Sequence, residues 1–493
     1  MNIQLCKNII FNVLSIISNF GKNLYKKIKS FLLIFWLKSF IHKDISNLEL
    51  FKILIWSLVL GICTIYSAII PPIQSPDETS HLASAYLLSK GRITFITPPG
   101  QDSGGYIDSG LLEFIASYTN LPFRPNHKLN YEMTLRSQSI RWTGDEKFIP
   151  VRSSPYFPLI YAPSAIGLAI GKIGNLSVEQ SYRIGRFIST FTCLGVIAFA
   201  FSIYQTNMLS VLVLSLPMSL FQLTTINADA LSLALIVLIS SITMRGIDKE
   251  KEYQPWMSYI LGLSLFAVIT ARWQLVPLSL LLIIIWLKRK QPIDILTFLF
   301  LCIGFTLWFV YAWLNYRDSR IIREFTSDIL LKYYILHPLH TLKIIGNTIV
   351  TYKNSYIQSF IGVLGWLDTP FSSTFYKISI LFLIIATGLS ISFQNIRKDY
   401  KERLFIQFLI LCIILFTFLA LLVTWSPFPT ERIEGIQGRY FLSPMVLMGY
   451  VLRGTSTNYR PIQTKISYLL ICIWTVFIAY FMTRVLIFRY LVS

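Results

Sequence analysis

The amino-acid sequence predicts an all-α protein that crosses a membrane many times. Of its 493 residues, 54% are hydrophobic and 14% are charged, whereas about 25% of the residues in soluble domains are charged. Apolar runs such as 231–242 and 278–287 do not alternate apolar with polar residues, as the strands of an outer-membrane barrel do. They are typical of membrane-spanning helices, each of which needs about 20 mainly apolar residues.

The charges and the cysteines exclude several other classes of protein. The net charge is +20, but the basic residues cluster just beyond apolar runs, as Lys and Arg do in cytoplasmic loops. We therefore expect contact with membrane lipids and no nucleic-acid partner. The six cysteines form no CxxC pair and the five histidines have no HExxH spacing, so the sequence predicts neither a disulfide framework nor a zinc site.

The chain divides into two predicted regions. Residues 1–50 are apolar only in short pieces and carry several lysines, which indicates a basic segment on the cytoplasmic face or in the interface. Residues 51–493 form the transmembrane domain. Its first span, 51–70, follows lysine-rich sequence and ends at Pro71 and Pro72, because proline interrupts a helix.

The number of spans depends on the apolar stretch 156–173. If this stretch spanned, the basic clusters after the later spans would lie outside, against the tendency of Lys and Arg to remain in the cytoplasm. We therefore predict about eleven spans, with 156–173 as an in-plane juxtamembrane helix of the first outer loop. The predicted spans are 51–70, 183–204, 207–223, 229–244, 256–270, 274–287, 293–314, 373–392, 404–424, 439–452 and 466–486. The predicted outer loops are 71–182, 315–372 and 425–438.

Candidate catalytic side chains follow the first span directly. Asp77 and Glu78 are adjacent and His81 lies one turn later, and ionisable groups at a membrane boundary are costly and are usually functional or paired. We predict that Asp77 or Glu78 is a catalytic carboxylate that takes a proton from an acceptor hydroxyl, and that His81 binds substrate. The alternative is structural, with Ser75 or Asp77 as the cap of a helix that has Glu78 in its first turn.

Two outer turns add a carboxylate and an arginine. Asn227 and Asp229 lie between two apolar runs, and either could cap the next helix. Alternatively, Asp229 binds substrate or, together with Asp77, a divalent cation. Arg272 is isolated between apolar runs, and it either extends toward the interface or binds the phosphate of a lipid-linked substrate.

Two later motifs complete the candidate substrate site. In the segment 365–369, Trp366 lies next to Asp368, a pairing that suits a sugar because the ring stacks on a sugar face while the carboxylate accepts from hydroxyls. The alternative is an interfacial Trp anchor and a turn. Arg439 and Tyr440 follow two nearby glycines at the start of the tenth span. Arg439 is therefore a candidate anion site, or alternatively the ion-pair partner of Glu431 or Glu434.

The kind of donor follows from what the sequence lacks. No P-loop or GxGxxG motif falls in a suitable context, and the predicted cytoplasmic loops are too short to hold a nucleotide-sugar domain. An enzyme with its polar residues outside needs a donor that has already crossed the bilayer, and a polyprenyl-phosphate sugar meets that need.

Several of these motifs together resemble a known family. The segments that carry the resemblance are 76–81 (PDExxH), 156–163, 227–229, 365–369 (GWLDT) and 437–441 (QGRYF). They resemble the signatures of a bacterial family of multi-pass membrane proteins of unknown function, over roughly residues 55–455. That family is similar to the membrane-embedded C-type (GT-C) glycosyltransferases, which include protein mannosyltransferases and the aminoarabinose transferase of lipid A.

The second resemblance implies a GT-C-like fold and an inverting transfer from a polyprenyl-phosphate sugar. In those enzymes a carboxylate follows the first span, a helix lies in the membrane plane, and a second carboxylate often occupies the next outer turn. Asp77 or Glu78, the stretch 156–173 and Asp229 match these features. The large soluble outer domain of some relatives has no counterpart, which leaves the acceptor undefined.

The sequence therefore predicts a glycosyltransferase in the bacterial inner membrane with its active site facing the periplasm. It would transfer sugar to an envelope glycan or glycolipid, such as O-antigen, capsule or teichoic acid. The alternatives are a polysaccharide polymerase or ligase of the same pathway, and a transporter of lipid-linked glycans. A transporter would be expected to carry ionisable residues in the middle of its helices, and the apolar runs here contain almost none.

Overall fold

The computed structural model describes residues 59–320, 324–394, 396–455 and 461–492. The chain divides into two units between Gly61 and Ile62, and the second contains all the elements that form the site. The predicted basic segment 1–50 lies outside the described residues. Within them, helices predominate and the strands form two small antiparallel sheets.

A small folded layer follows the first helix, α1 (Val59–Ile69). Its elements are α2 (Glu78–Ser89), β1 (Gly104–Asp108), α3 (Ser109–Ala116), α4 (Tyr131–Ser139) and β2 (Glu146–Pro150). The strands pair antiparallel, with Gly104 opposite Pro150 and Asp108 opposite Glu146. The Asp108 side chain caps α3 by accepting from the Gly110 amide at 2.9 Å, and it also accepts from the Gly144 amide at 2.9 Å. The predicted first loop is therefore an ordered layer.

A tightly packed helix pair follows this layer. A 3₁₀ turn (Pro158–Tyr161) leads into α5 (Ala162–Ile173), and α6 (Val178–Ile203) begins with a capping box at Ser177. With 12 residues, α5 is about 18 Å long and too short to cross a bilayer core of about 30 Å. Gly167 faces Gly185 and Gly171 faces Ser181, so α5 runs back along α6. The orientation of the stretch 156–173 relative to the membrane plane stays a prediction.

The remaining helices form the bundle, in which α9 is the most deeply buried of the candidate spans. The middle part of the chain forms α7 (Met208–Leu214), α8 (Pro217–Leu223), α9 (Ala228–Ile247), α10 (Pro255–Ala271), a 3₁₀ helix (Trp273–Leu280), α11 (Leu281–Arg289) and α12 (Pro292–Asn315). The last part forms α13 (Ser327–Leu336), α14 (Pro338–Ile361), β3 (Val363–Leu364), β4 (Thr369–Pro370), α15 (Ser373–Ser390), α16 (Ile396–Thr424), a 3₁₀ turn (Gly438–Phe441), α17 (Leu442–Arg453) and α18 (Pro461–Tyr490).

Six of the described helices are long and apolar enough to cross a membrane: α6, α9, α12, α15, α16 and α18. Other predicted spans are shorter or broken. The predicted span 207–223 is two helices of seven residues each, divided before Pro217, because proline disfavours a helical residue before it. The predicted spans 274–287 and 439–452 each begin as a 3₁₀ segment.

The predicted outer loop 315–372 is mostly helical. It contains α13 and the 24-residue α14. The buried face of α14 contributes Ile344 and Ile345 to a cluster with Leu422 of α16. Polar residues interrupt the apolar pattern of α14, which explains why hydropathy alone did not predict a helix there.

The loops predicted to be cytoplasmic meet at one end of the bundle. Arg289 donates to the carbonyls of Gly246 at 2.8 Å and Arg245 at 3.0 Å. Lys288 forms an ion pair with Glu402 at 2.7 Å. Arg403 donates to the Arg453 carbonyl at 3.3 Å. The loops after α9, α11, α15 and α17 are therefore neighbours.

The α5–α6 contact provides a test of the fold. A Cβ at Gly167 would lie 2.3 Å from the Gly185 Cα, so Gly167→Ala should push the helices apart and lower the unfolding temperature of the detergent-solubilised protein. Gly195 of α6 has no atom within 4 Å of such a Cβ, and Gly195→Ala is the matched control. It should be neutral or stabilising, because Ala exceeds Gly in helix propensity by about 1 kcal/mol. Equal unfolding temperatures for the two variants would contradict the packing described.

Candidate functional site

Polar side chains from five segments converge at the end of the bundle opposite the basic loops. Helices α9, α10 and α17 each extend from one end to the other, with Arg245 and Arg453 at the basic end and Asp229, Arg272 and Arg439 at the other. The segments that meet are the start of α2, the 3₁₀ turn Pro158–Tyr161, the start of α9, the end of α10 and the 3₁₀ turn Gly438–Phe441. We refer to the space between them as the cleft.

An ion pair joins the start of α9 to the end of α10. The Asn227 side chain caps α9 by accepting from the Ala230 amide at 2.7 Å, which leaves Asp229 free to face Arg272. Arg272 donates to Asp229 Oδ1 from Nη2 at 2.5 Å and from Nε at 2.8 Å. Asp229 Oδ2 is buried and has no hydrogen-bond partner. The guanidinium of Arg272 also lies 5.1 Å from the centre of the Tyr156 ring.

Arg439 lies between two carboxylates but is hydrogen-bonded to neither. Its Nη1 is 3.7 Å from Asp229 Oδ2 and its Nη2 is 3.7 Å from Asp77 Oδ2. The residue is only 6% exposed, and among the described residues its Nε and Nη1 atoms have no hydrogen-bond partner. Buried donors without acceptors are costly, and a guanidinium binds phosphate or carboxylate with two parallel hydrogen bonds. Arg439 is therefore a candidate anion-binding residue.

Asp77 forms the accessible edge of the cleft. It has left-handed backbone angles, φ 60° and ψ 11°, and makes no side-chain hydrogen bond to the start of α2. Aspartate tolerates this conformation better than most residues. Its side chain is 52% exposed. Asp77 is thus a carboxylate open to the exterior with a buried guanidinium behind it.

Glu78 has a different role from its neighbour. It is fully buried, and its Oε1 accepts from the Tyr182 hydroxyl at 2.7 Å and the Ile226 amide at 3.1 Å. Its Oε2 accepts from the Ser75 amide at 2.9 Å. Burial raises the pKa of Glu78, although the charge of Arg186 opposes the rise. Glu78 therefore connects three segments, and of the two predicted catalytic carboxylates only Asp77 is accessible.

His81 lies on the inner wall of the cleft as a neutral ring. Its Nδ1 is 2.7 Å from the Tyr161 hydroxyl, and its ring stacks on Tyr156 with the centroids 6.4 Å apart. Burial lowers the pKa of His81 to about 4, so the imidazole is uncharged at neutral pH. It offers hydrogen bonding and a flat surface without adding charge.

Trp366 and Asp368 lie outside the cleft. Trp366 Nε1 donates to the Ile73 carbonyl at 2.9 Å. Asp368 Oδ2 accepts from the Phe123 amide at 2.7 Å and from Arg489 Nη2 at 2.9 Å. These contacts anchor the 365–369 hairpin to the first layer and to the end of α18. The predicted sugar contact of Trp366 and Asp368 is thus not part of the cleft.

The cleft also contains residues that the sequence analysis did not single out. The additional polar lining residues are Gln222, Ser232, Gln274 and Ser443, and Tyr156 and Tyr161 form the ring wall next to His81. Gln222 interrupts an apolar run and Gln274 follows Arg272 by two residues, so the sequence contained a pattern from which both could have been predicted as site residues. The pocket that the four polar residues line together with Asp229, Arg272, Arg439 and Tyr440 has a volume of about 20 Å³, room for about one water molecule. A larger ligand reaches Arg439 only if the lining side chains separate.

The residues present do not fit a divalent cation. Among the described residues, no group of three or more His, Cys, Asp or Glu side chains is placed to hold a metal. Arg439 lies within 3.7 Å of both Asp77 and Asp229, so a positive charge already occupies the position between these carboxylates. The arrangement favours an anion instead.

Because Glu78 is buried and Asp77 is exposed, replacing each carboxylate by its amide should have different effects on the stability of the protein. Glu78→Gln weakens bonds to three donors and should cost about 2 kcal/mol, since hydrogen bonds to charged groups are worth about 1.5–3 kcal/mol each. Asp77→Asn should leave stability nearly unchanged, because Asn also tolerates the left-handed conformation. Thermal unfolding of both purified variants measures the difference. Tyr182→Phe, which removes one donor to Glu78, should also destabilise the protein, and an unfolding temperature unchanged in both Glu78→Gln and Tyr182→Phe would contradict the assignment.

Comparison with known proteins gives one match. Neither a curated protein nor a solved structure matches the chain. The model of the family described as "Predicted membrane protein (DUF2142)" matches residues 59–448, a range that includes all the cleft residues named above. The chain therefore belongs to the DUF2142 family of membrane proteins.

Proposed function

We propose that the protein is a membrane glycosyltransferase that moves a sugar from a polyprenyl-phosphate donor to an envelope glycan or glycolipid. The observation that carries the proposal is the pairing of exposed Asp77 with buried Arg439, whose two unsatisfied donors lie at the end of the bundle opposite the basic loops. An anion site directly behind an accessible carboxylate is what transfer from a phosphate-linked donor requires.

Arg439 and Arg272 supply the donor side of the reaction. The phosphate of the donor accepts from the Nε of Arg439, which satisfies this buried donor and brings a negative charge next to the two guanidinium groups. When the bond between the sugar and the phosphate breaks, negative charge increases on the leaving phosphate. Fixed positive charge at that position stabilises the transition state more than the ground state.

Asp77 supplies the acceptor side. Its carboxylate takes the proton of an acceptor hydroxyl, the hydroxyl oxygen attacks the anomeric carbon, and the polyprenyl phosphate leaves with the bonding electrons. Attack from the side opposite the phosphate inverts the anomeric configuration. His81 and the tyrosines beside it provide flat, uncharged surfaces for the sugar. Asp229, bound to Arg272, orients the arginines and takes no part in the proton transfer.

The distribution of basic residues supports a periplasmic cleft. The helix ends that carry Arg245, Lys288, Arg289 and Arg403 meet at the end opposite the cleft, and basic residues at the ends of spans remain in the cytoplasm. The same orientation accommodates about eleven crossings, with the broken segments α7–α8, the 3₁₀ helix with α11, and the 3₁₀ turn with α17 counted as crossings. A carboxylate after the first helix and a second one at the start of α9 are also consistent with a GT-C-like arrangement.

Loss of activity in Asp77→Asn is the expected result of the central experiment. Membranes that contain the protein should transfer label from a polyprenyl-phosphate sugar to envelope glycan. The transfer rate of the variant should be roughly 10²–10⁴-fold lower, because a general base usually contributes that factor. Glu132, an exposed carboxylate of α4, provides the control Glu132→Gln, which should remain active. Full activity in Asp77→Asn would eliminate Asp77 as the base, and no transfer by the unsubstituted protein with any such donor would eliminate the reaction class.

The orientation predicts which engineered cysteines react from outside. Asn126 is exposed in the first layer and Lys249 is exposed in a basic loop. In intact spheroplasts a membrane-impermeant maleimide should label Asn126→Cys, and it should label Lys249→Cys only after permeabilisation. The unsubstituted chain gives the background from native cysteines. The reverse pattern would place the cleft in the cytoplasm and remove the argument for a lipid-linked donor.

A further inference from the structure

A second pocket lies at the end of α18, away from the cleft. Its volume is about 420 Å³, within the range of roughly 300–1,000 Å³ that is usual for small-molecule sites. Basic residues Lys128, Arg484 and Arg489 line one part and aromatic residues Phe371, Phe481 and Phe488 line another. The pocket therefore combines positive charge with an apolar wall.

Two of the three cations in this pocket have no carboxylate partner among the residues that the structure describes. Arg489 is paired with Asp368 at 2.9 Å, and its Nε has no hydrogen-bond partner. Lys128 donates to the carbonyls of Phe488 at 2.6 Å and Arg489 at 3.2 Å, which holds its ammonium group over the end of α18. Within the part of the chain that the structure describes, Arg484 contacts the Phe488 ring at 5.8 Å and forms no ion pair. The pocket thus carries an excess of positive charge.

Arg484 lies in a row that faces outward from the bundle. Tyr480, Arg484 and Phe488 are spaced by four residues along one face of α18, and the two aromatic residues are 59% and 56% exposed. Arg484 is six residues before the last residue of the helix, Tyr490, or about 9 Å along its axis. An arginine in an apolar, outward-facing row is costly in a bilayer unless it meets a counter-charge, and the phosphate of a lipid head group is such a counter-charge.

We propose that this pocket binds the phosphate of a lipid. Lys128 and Arg484 hold the phosphate oxygens, the unsatisfied Nε of Arg489 donates from the back of the pocket, and the hydrocarbon chain extends along Tyr480 and Phe481. The site does not depend on the transferase proposal.

The same pocket is connected to the cleft by the 365–369 hairpin. Asp368 binds Arg489 within the pocket, and Trp366 binds the Ile73 carbonyl in the segment that leads to Asp77. The GWLDT motif thereby acquires a structural role as the link between a lipid phosphate and the loop that presents Asp77.

Lipid binding to the purified full-length protein, measured by native mass spectrometry, tests the proposal. The probes are phosphatidylglycerol, undecaprenyl phosphate and, as the lipid without phosphate, diacylglycerol. The double variant Lys128→Gln/Arg484→Gln should bind the phosphate-bearing probe about 30-fold more weakly, from the contribution of each basic residue to anionic-lipid attraction. Arg484→Lys, which retains the charge, should recover much of the binding. The matched control is Arg141→Gln, which removes an exposed outer arginine elsewhere.

The outcomes separate the two sources of a lipid phosphate. If the unsubstituted protein retains both phosphate-bearing lipids and the double variant retains neither, the pocket is a general anionic-lipid site. Retention of undecaprenyl phosphate alone would establish a carrier-lipid site. Equal binding of diacylglycerol, or unchanged binding in a double variant with the unfolding temperature of the unsubstituted protein, would overturn the proposal. None of these readouts requires transferase activity.

Discussion

Glu78 brings a carboxylate into the protein interior, where donors from three separate segments satisfy it: the Ser75 amide, the Tyr182 hydroxyl and the Ile226 amide. Arg186 compensates the charge nearby, and it donates to the carbonyls of Ile70 and Thr224. These bonds fix the end of the first helix, the start of α2, the helix α6 and the turn before α9 relative to one another. Removing one partner of such a network leaves an unsatisfied charge, so these segments are expected to unfold cooperatively.

The same constraint explains why Asp77 is exposed. With Glu78 directed inward at the first position of α2, the preceding residue takes the left-handed conformation and its carboxylate faces outward. Asp229 acts in a similar way for the arginines, because it neutralises Arg272 and leaves Arg439 at 3.7 Å without a hydrogen bond. Glu78 thus positions the accessible carboxylate of Asp77, and Asp229 leaves the guanidinium of Arg439 without a hydrogen-bonded carboxylate. The arrangement of the cleft therefore depends on two carboxylates, Glu78 and Asp229, that are already hydrogen-bonded within the protein.

Topology reasoning from the sequence placed six of the predicted site residues together, but it also included Trp366 and Asp368, which lie outside the cleft, and it did not predict what each residue does. Asp77, His81, Asp229, Arg272, Arg439 and Tyr440 were expected on one side because their loops alternate with the basic loops, and the structure brings them together. The roles of Glu78 and Asp368 depend on Tyr182, Ile226 and Arg489, which lie 104, 148 and 121 residues away. No local pattern reveals such partners. Pro217 marked a break in the sequence, but hydropathy over a whole window concealed it.

The backbone around the cleft marks the site independently of its side chains. Among the described residues, each of the three 3₁₀ segments borders it: Pro158–Tyr161 carries Tyr161, Trp273–Leu280 follows Arg272, and Gly438–Phe441 carries Arg439 and Tyr440. At membrane depth, backbone that departs from the α-helix is tolerated only where it is buried in protein or lines a water-filled cavity. The position of these three segments at the end of the bundle that holds the cleft is consistent with the anion site proposed there, because buried irregular backbone groups and polar side chains can share the same ligand or solvent.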